Sequence, residues 1–489
     1  MRKLLLLSIL ILPAWLLASC DQKAGTKQST TLEVVEQEIT VNGKQVKTFN
    51  IVQADGTVGY RGRKGEDFDI IVQNKTGQAT ALHWHGLILP NEEDGVPFVN
   101  QLPIASGQEA YYRFPLVQSG TYWMHSHLGT QEQLLMAAPL ILYPEETASL
   151  ENEKEVIMLL QDFTFEDPEA ILMGLREGMD MDMDMAAHGA EDLVDIDYDV
   201  FLTNRRTLDD PDVFKFNAEE EVRLRIINAS SSTNFYINLG ELSGIAVAID
   251  GEDIEPVEGR QFQLGVSERI DILLTMPAQG GSFPILAQGE GTNMQTGLIL
   301  TTENESDLAL STDTEEVAPA FNNEQEKNFQ AKTPLEPPQS RQGSRVIDVN
   351  LGGSMENYVW MIDNELWPNV KPIFIKEGER VEINLKNNTM MSHPMHLHGH
   401  VFQVVAIDGE RLSGVKQDTV LVLPGSTVTI AFDADNPGVW AFHCHLLFHS
   451  ESGMMTTINY ADYSPSDFYL NRIGMTRETY GQVREDRLK

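Results

Sequence analysis

The chain has 489 residues, of which 42% are hydrophobic, and its formal net charge is −38 at pH 7. This length is more than one hydrophobic core ordinarily serves, so two to four domains are expected. The strong negative charge argues against nucleic acid as a partner, because phosphates would be repelled. It is compatible with attraction of cations and, equally, with solubility alone.

Residues 1–20 have the pattern of a targeting segment. Arg2 and Lys3 precede an apolar run that Pro13 interrupts and that is short for a membrane span. The segment ends in LASC at Cys20, which resembles the cleavage box of bacterial lipoproteins, in which the cysteine becomes the lipidated N-terminus. We therefore expect an exported periplasmic or cell-envelope lipoprotein, anchored to a membrane at Cys20. A cleaved signal peptide and an uncleaved anchor are the alternatives.

The two cysteines of the chain are Cys20 and Cys444. If Cys20 carries lipid, no intramolecular disulfide can form in the mature chain, although the expected compartment is oxidising. Stability must then come from the hydrophobic cores. Cys444 stays available as a thiolate ligand.

After a polar tether at 21–31, the chain has the rhythm of short β-strands. Runs such as DFDIIVQN (67–74), EAYYRFPLV (109–117) and APLILYP (138–144) are rich in β-branched and aromatic residues, and glycine, proline or asparagine punctuates them. This pattern is typical of β-sandwiches. The prediction is an all-β protein.

The chain also repeats itself at the scale of a domain. SGTYWMHSHLGTQEQLLMAAPLIL aligns with PGVWAFHCHLLFHSESGMMTTIN, and NKTGQATALHWHG aligns with NNTMMSHPMHLHG. The first domain (32–148) and the third (346–462) therefore share one plan, in which Ser126 stands where the third domain has Cys444.

The middle domain, 149–302, has the same strand rhythm. It carries Phe235, Ile237 and Leu239 where ligands would stand, which predicts a metal-free copy that spaces the outer two. Residues 303–345 are acidic, polar and proline-containing, and we expect a long, partly disordered linker there. The tail at 463–489 is charged and gives no further prediction.

Ten of the twelve histidines fall into four strings: HWH at 83–85, HSH at 125–127, HPMHLH at 393–398 and HCHLLFHSESGM at 443–454. In an extended strand, alternate side chains share a face, so His443 and His445 point one way and Cys444 the other. One short strand can thereby serve two metal sites. A cysteine with two histidines and a distant methionine is the ligand set of a blue-copper electron-transfer site.

In this order, the four strings resemble the copper-binding strings of the multicopper oxidases, HxH, HxH, HxxHxH and HCHxxxHxxxxM. The resemblance implies three cupredoxin-like Greek-key β-sandwich domains that bind four copper ions and use dioxygen as the electron acceptor. It places His393, Cys444 and His449 around the type 1 copper, with Met454 as the axial ligand. The other eight histidines would hold the three remaining ions: His83 and His396 the type 2 copper, His85, His125 and His445 one type 3 copper, and His127, His398 and His443 the other.

In the family, a one-electron donor reduces the type 1 copper, and the electron leaves through the residue matching Cys444 to His443 or His445. Four such electrons reduce dioxygen to two waters. Asp94, in DGVP, resembles the family's acidic residue near the type 2 copper and is a candidate proton relay; the alternative is a plain turn residue. Glu451 is a second candidate, with a solvated loop carboxylate as its alternative.

A finer resemblance, to the bacterial copper-resistance protein A group, implies oxidation of Cu(I) to Cu(II) in copper tolerance. The stretch GMDMDMDMAAHG (178–189) agrees with it, because thioethers favour Cu(I) and carboxylates suit the Cu(II) product. The candidate thioether ligands for substrate Cu(I) are Met179, Met181, Met183 and Met185, with Met390 and Met391 as a second candidate edge. The alternatives are an acidic loop with accidental methionines and a methionine pair in the core.

A laccase-type oxidation of phenols or aromatic amines is the alternative function. A related group of cuprous oxidases has a substrate-binding aspartate four residues before the first type 1 histidine, where this chain has Thr389. The methionine tract is also short beside the inserts of many relatives. Copper storage is a third, non-enzymatic hypothesis, but storage does not need a cysteine flanked by two cluster histidines.

Overall fold

The structure, a computed structural model, describes residues 29–146, 154–177, 193–194, 196–303, 308–335 and 344–488. The predicted targeting segment with Cys20, most of the tether and the methionine-rich insert at 178–189 lie outside these ranges. Within them, no helix is both long and apolar enough to cross a bilayer.

The first domain is a sandwich of two sheets. Its strands are β1 Thr30–Val41, β2 Lys44–Gln53, β3 Tyr60–Arg63, β4 Asp67–Asn74, β5 His83–His85, β6 Glu109–Pro115, β7 Gly120–His125 and β8 Ala137–Tyr143, with a 3-10 turn at Asn91–Glu93. The sheet orders are β2-β1-β4-β6 and β3-β8-β7-β5. In β4, alternate side chains such as Phe68, Ile70 and Val72 are buried, as expected for a strand with one face on the core.

The second domain is also a two-sheet sandwich. Its elements are β9 Lys154–Phe163, α1 Pro168–Glu177, β10 Val200–Thr203, β11 Val213–Lys215, β12 Glu221–Asn228, β13 Phe235–Asn238, β14 Gly244–Ile249, β15 Glu252–Gly259, β16 Gln261–Leu264, β17 Arg269–Thr275, β18 Ser282–Gly289 and β19 Gln295–Thr301. The sheet orders are β10-β9-β12-β17-β14-β15 and β11-β19-β18-β13-β16. Phe235 and Ile237 are fully buried core residues, so apolar packing occupies the positions that carry ligands in the outer domains.

The third domain repeats the architecture. After α2 Glu324–Asn328, its elements are β20 Ser344–Ser354, β21 Val359–Ile362, β22 Ile373–Ile375, β23 Arg380–Asn387, β24 His393–Leu397, β25 Phe402–Ile407, β26 Glu410–Arg411, β27 Lys416–Gln417, β28 Thr419–Val422, β29 Thr427–Asp433, β30 Val439–Cys444, α3 Leu447–Glu451, β31 Met455–Tyr460, α4 Asp467–Arg472 and α5 Arg477–Arg487. One sheet has the order β21-β20-β23-β29-β25-β26, with β27 on β25, and the other β22-β31-β30-β24-β28.

The histidine strings lie on equivalent strand pairs of the outer domains. In domain 1, β5 pairs antiparallel with β7, which sets His83 opposite His125. In domain 3, β24 pairs antiparallel with β30, which sets His396 opposite His443. The internal repeat seen in the sequence is therefore a repeat of strand register as well.

The segment 303–345, which the sequence predicts to be a long, partly disordered linker, is described at 308–335. This described part packs on the domains. Phe321, Phe329 and Ala331 are buried, and the Gln325 amide of α2 donates to the Gln263 carbonyl at 2.7 Å. A few apolar residues within this acidic sequence pack against domains 2 and 3. Their burial orders the described part of the linker.

The C-terminal tail is also ordered. Ser466 and Thr476 cap α4 and α5, and the buried Tyr469 and Tyr480 pack on the third domain. Both tyrosine hydroxyls accept hydrogen bonds from the Asn459 amide of β31, at 3.1 and 2.8 Å. The tail therefore covers one edge of the third domain.

Candidate metal centres

One group of ligand-type side chains lies wholly within domain 3. His393 begins β24, Cys444 ends β30 and His449 lies in α3. The Cys444 Sγ atom is 3.7 Å from His393 Nδ1 and 3.8 Å from His449 Nδ1, and the two nitrogens are 3.1 Å apart. All three side chains are buried. Two imidazole nitrogens and a thiol sulfur thus converge on one point, as a trigonal copper site requires.

The backbone holds Met454 beside this group. The Cys444 N–H donates to the Met454 carbonyl at 3.0 Å, and the Met454 N–H donates to the His449 carbonyl at 3.1 Å. Met454 is buried, whereas the adjacent Met455 already belongs to β31 and pairs with His443.

A tryptophan ring and a threonine hydroxyl contact the two histidines of this group. The Trp360 ring stacks on His449 with centroids 3.8 Å apart and an interplanar angle of 25°. The Thr389 hydroxyl is 2.8 Å from His393 Nε2. Burial, and then repulsion from His449, hold the pKa of His393 well below its ordinary value, so the imidazole is a neutral ligand.

The second group joins domains 1 and 3. Eight histidines, four from each domain, form three sets whose ligand atoms lie within 4.8 Å of one another: His83, His85 and His396; His85, His125 and His445; and His127, His398 and His443. His127 is half-buried and the others are buried. Neither domain contributes a complete set.

Most of these imidazoles present Nε2 to the centre. The Nδ1 atom of His83 is 2.8 Å from the Asp94 carbonyl, that of His396 is 2.9 Å from the Asp418 carbonyl, and that of His125 is 2.8 Å from Glu132 Oε2. Their Nε2 atoms are buried and have no hydrogen-bond partner among the described residues. A buried nitrogen left without a partner is costly, so these atoms fit metal coordination.

His85 is reversed. Its Nε2 is 2.9 Å from Asp418 Oδ1, and its Nδ1 is the buried atom without a partner in the described part of the chain. The same centre also brings together the Nε2 atoms of His127 and His398, which lie 3.2 and 3.0 Å from His443 Nε2. Nitrogen donors converging in this way suit copper.

The protonation states agree with metal binding. Burial, together with repulsion from neighbouring histidines, lowers the pKa of His443 to about 3 and that of six other cluster histidines below the ordinary value: His85, His125, His127, His396, His398 and His445. Neutral imidazoles are the form that binds a metal ion.

The two candidate proton relays differ in position. Asp94 is buried, with Oδ2 at 3.0 Å from His398 Nδ1 and Oδ1 at 3.2 Å from His83 Nδ1. It also ends the 3-10 turn, so the two interpretations of this residue are compatible. Glu451 is exposed at the end of α3, and only its backbone carbonyl, which accepts from Arg176 Nη2 at 2.6 Å, has a described hydrogen bond.

The candidate methionine ligands for substrate Cu(I) differ in what the structure shows of them. Met390 is 66% exposed and Met391 is buried, so only Met390 is accessible from solvent. The four methionines of the tract, Met179, Met181, Met183 and Met185, lie outside the described residues.

Sequence reasoning missed two carboxylates that contact the cluster. Glu132 is buried beside His125, with Oε1 4.0 Å from His445 Nδ1, and burial raises its pKa well above the ordinary value. Asp418 contacts His85, as described above. A signal existed for Glu132, since the polar run TQEQ begins three residues after the second histidine string ends. A single aspartate in KQDTV gives no comparable signal.

Comparison with known proteins agrees with these geometries. Three segments match family models described as multicopper oxidase, at residues 33–147, 154–307 and 341–464. The chain is 31% identical over 454 residues to multicopper oxidase MmcO of Mycobacterium tuberculosis, covering 89% of this chain and 88% of the relative. It is 28% identical to a copper resistance protein A homolog of Pseudomonas syringae pv. tomato, covering 91% and 95%.

Solved structures share the fold. The multicopper oxidase of Pseudomonas thermotolerans superposes with a TM-score of 0.68 at 25% identity, covering 88% of this chain and 99% of that one. Fet3p, a multicopper oxidase that functions in iron import, gives 0.74 at 20% identity, covering 93% and 94%, which shows the fold alone. The prediction of three cupredoxin-like sandwiches is thereby confirmed.

The three matched segments span most of the chain, and the identity to MmcO extends through all three domains. Copper is therefore the cofactor, in the type 1, type 2 and type 3 sites of the family. The chain belongs to the multicopper oxidase family and is an oxidoreductase.

Proposed function

We propose that this multicopper oxidase oxidises Cu(I) to Cu(II) and passes the electrons to dioxygen, as an exported enzyme of copper tolerance. Relatives from Pseudomonas syringae and Escherichia coli carry the name copper resistance protein A, and the alignments span most of both chains. Bound copper supplies the one-electron chemistry, by which four Cu(I) ions, one dioxygen and four protons give four Cu(II) ions and two waters.

We propose that His393, Cys444 and His449, together with Met454, would hold the type 1 copper. The convergence of two nitrogens and a sulfur in a buried, aromatic setting supports this assignment. The 4.8 Å groupings support assigning the other eight histidines as follows: the type 2 copper to His83 and His396, one type 3 copper to His85, His125 and His445, and the other to His127, His398 and His443.

The residues between the centres have defined tasks in this proposal. Cys444 is joined by peptide bonds to His443 and His445, so an electron can travel between the two centres along covalent bonds. Asp94 is the proposed proton relay. It is buried, and its carboxylate lies against two histidines of the cluster, His398 and His83, which supports this role.

The observation that carries the choice of Cu(I) is the anchoring of α1 beside the type 1 site. Arg176, in the last turn of α1, donates to the carbonyl of Glu451 in α3, two residues beyond His449. In the sequence, the methionine tract follows α1 directly. Met173 on α1 is itself 58% exposed, so its thioether is accessible from solvent.

One observation favours the laccase alternative. Thr389 occupies the hydrogen-bonding position on His393 Nε2, and a neutral hydroxyl replaces the carboxylate that a bound cuprous ion would use. Oxidation of phenols or aromatic amines at the His393 and His449 side requires no such carboxylate.

We further propose that the enzyme is anchored by lipid at Cys20. The LASC sequence after an apolar run supports this. Replacing Cys20 with serine is expected to move the protein from the membrane fraction to the soluble fraction of the producing cells. Recovery of both proteins in the same fraction would contradict the anchor.

The deciding experiment compares two donors. Oxygen uptake by the copper-loaded enzyme is measured with Cu(I) and, separately, with a phenol, for the wild type and for a variant in which Met179, Met181, Met183 and Met185 are replaced by serine. We expect Cu(I)-driven uptake to fall in the variant while phenol turnover is unchanged.

A second variant separates thioether chemistry from charge. Replacing Asp180, Asp182 and Asp184 with asparagine keeps every methionine, and it should retain more Cu(I)-driven uptake than the serine variant. Phenol turnover at or above Cu(I) turnover, with no effect of the methionine changes, would establish the laccase alternative and reduce the tract to a loop.

A further inference from the structure

We infer that the metal-free middle domain positions a copper ligand of the trinuclear cluster: Arg269 of β17 orients His85 through Asp418. This inference depends on the proposed assignment of His85 to the cluster, and it is independent of which donor the enzyme oxidises. It gives domain 2 a role in copper binding beyond spacing the outer domains.

Arg269 lies where all three domains meet. Its side chain is fully buried, and its guanidinium donates to both carboxylate oxygens of Asp418, at 2.8 Å to Oδ1 and 2.6 Å to Oδ2. Its Nε donates to the Thr121 carbonyl of domain 1 at 3.2 Å. A planar guanidinium bound to both carboxylate oxygens fixes the plane of the Asp418 side chain.

Asp418 transmits this orientation to the cluster. Its Oδ1 lies 2.9 Å from His85 Nε2, and its backbone carbonyl lies 2.9 Å from His396 Nδ1. The two imidazoles stack with centroids 3.8 Å apart and an interplanar angle of 16°. With Nε2 donating to Asp418, the lone pair of His85 is on Nδ1 and faces the centre.

Domain 2 also holds the Asp418 backbone. Asp250, in domain 2, accepts hydrogen bonds at Oδ2 from the N–H groups of Asp418 and Thr419, each at 3.2 Å, and at Oδ1 from the Arg269 N–H at 2.9 Å. The segment 418–419 is therefore held at its side chain by Arg269 and at its backbone by Asp250. Both holding residues come from the domain without copper ligands.

Removing the guanidinium leaves Asp418 without its cationic partner in a buried site. The carboxylate is then free to rotate away from His85, whose ring loses the acceptor that sets its orientation. Outer-sphere partners of metal-bound histidine typically contribute about 10- to 100-fold in metal affinity. We expect a loss of this size for the trinuclear copper and none for the type 1 copper, whose ligands all lie in domain 3.

The test is the variant Arg269→Met, with Arg225→Met as a matched control. Arg225 is another buried arginine of domain 2, bonded to Asp271 at 2.8 Å and to Thr121 Oγ1 at 2.9 Å, and none of its described contacts is a cluster histidine. Copper is titrated into each apoprotein against a competing chelator. Copper per chain, the blue absorption, the near-ultraviolet type 3 absorption and the type 2 electron paramagnetic resonance signal are recorded.

Arg269→Met is expected to keep the blue absorption and to bind type 2 and type 3 copper about 10- to 100-fold more weakly, whereas Arg225→Met keeps both centres. Arg269→Lys, which retains the charge but not the two parallel hydrogen bonds, should give a smaller loss and decides the question if Arg269→Met does not fold. Unchanged trinuclear copper in the folded Arg269 variants, or an equal loss in Arg225→Met, overturns the inference.

Discussion

The two copper centres differ in how many domains build them. The proposed type 1 group takes His393, Cys444, His449 and Met454 from domain 3 alone, and backbone hydrogen bonds within that domain join Cys444 to Met454 and Met454 to His449. The proposed trinuclear group takes four histidines from each outer domain, and Arg269 of domain 2 donates to Asp418, which contacts His85 of that group. The type 1 site should therefore persist as long as domain 3 is folded, whereas the cluster requires all three domains to be docked.

The substitution with the largest expected effect, Cys444→Ser, tests the proposed electron path from the type 1 copper to the cluster. Cys444→Ser replaces a thiolate by a hydroxyl, which does not ionise near neutral pH and does not match the softness of Cu(I). The variant should lose the blue absorption and all donor-driven oxygen uptake, while copper analysis still finds the three cluster ions. Oxidase activity at the wild-type rate would mean that the cluster receives electrons without the type 1 site.

The next effect concerns the cluster alone. Asp94→Asn weakens the acceptor that meets His398 and His83 and removes the proposed proton-holding oxygen, so oxygen reduction should slow by about 10- to 100-fold. Reduction of the type 1 copper by the donor, followed by stopped-flow absorption, should keep its rate. Glu92→Gln, at an exposed position of the same turn, is the control. Equal slowing in both variants would contradict a special role for Asp94.

The histidine strings that the structure brings together could be identified in the sequence, because each string is short, and the resemblance to the multicopper oxidases grouped them into the two proposed centres. The β-sandwich fold followed from strand periodicity and from the repeat of domain 1 in domain 3. The apolar residues at 235 and 237, which predicted a metal-free middle domain, are buried in the core of domain 2.

The support around the cluster could not be predicted. Asp418 meets His85 across 333 positions of sequence and Arg269 across 149, and these contacts exist only after three domains have docked. The packing of the linker and of the tail could not be predicted from composition either, because Phe321, Tyr469 and Tyr480 are single buried aromatic side chains within polar stretches. Local patterns therefore indicated more of the proposed type 1 site, which lies in domain 3, than of the proposed trinuclear site, which residues of all three domains surround.

A smaller effect is expected when the tryptophan next to each centre is replaced, and the quantity compared is the reduction potential of the type 1 copper. Trp360 stacks on His449, and Trp123 stacks on His125 with centroids 4.2 Å apart. Trp360→Leu should shift the reduction potential of the type 1 copper, measured by spectroelectrochemical titration, because the stacked ring no longer shields the ligand. Trp123→Leu should leave that potential unchanged. Each large-to-small change should cost about 3 kcal/mol of stability or less. An equal shift of potential in both variants would contradict the independence of the centres.

The smallest expected effect is a difference between the two centres in the pH at which they lose copper. Glu268 of domain 2 and Glu326 of α2 line a cavity of about 40 Å³, together with Leu421 and Leu423 of domain 3. Burial raises the pKa of both carboxyls to about 8, and the charge of Glu326 adds to the effect on Glu268. Because both values lie above the ordinary 4.5, the protonated forms favour the folded state. Their contribution to stability is complete below pH 4.5 and is lost as the pH rises through about 8.

This loss of stability weakens the contact between domain 2 and domain 3, next to Arg269. It does not act within domain 3. Raising the pH toward about 9 should therefore release cluster copper to a chelator before it bleaches the blue absorption. Replacing both glutamates with glutamine should raise the melting temperature at that pH by a few degrees, with little change near pH 5, because no charge then forms in the cavity. Glu324→Gln, at an exposed position of α2, should change neither measurement. Simultaneous loss of both kinds of copper would mean that the type 1 site depends on domain docking as much as the cluster does.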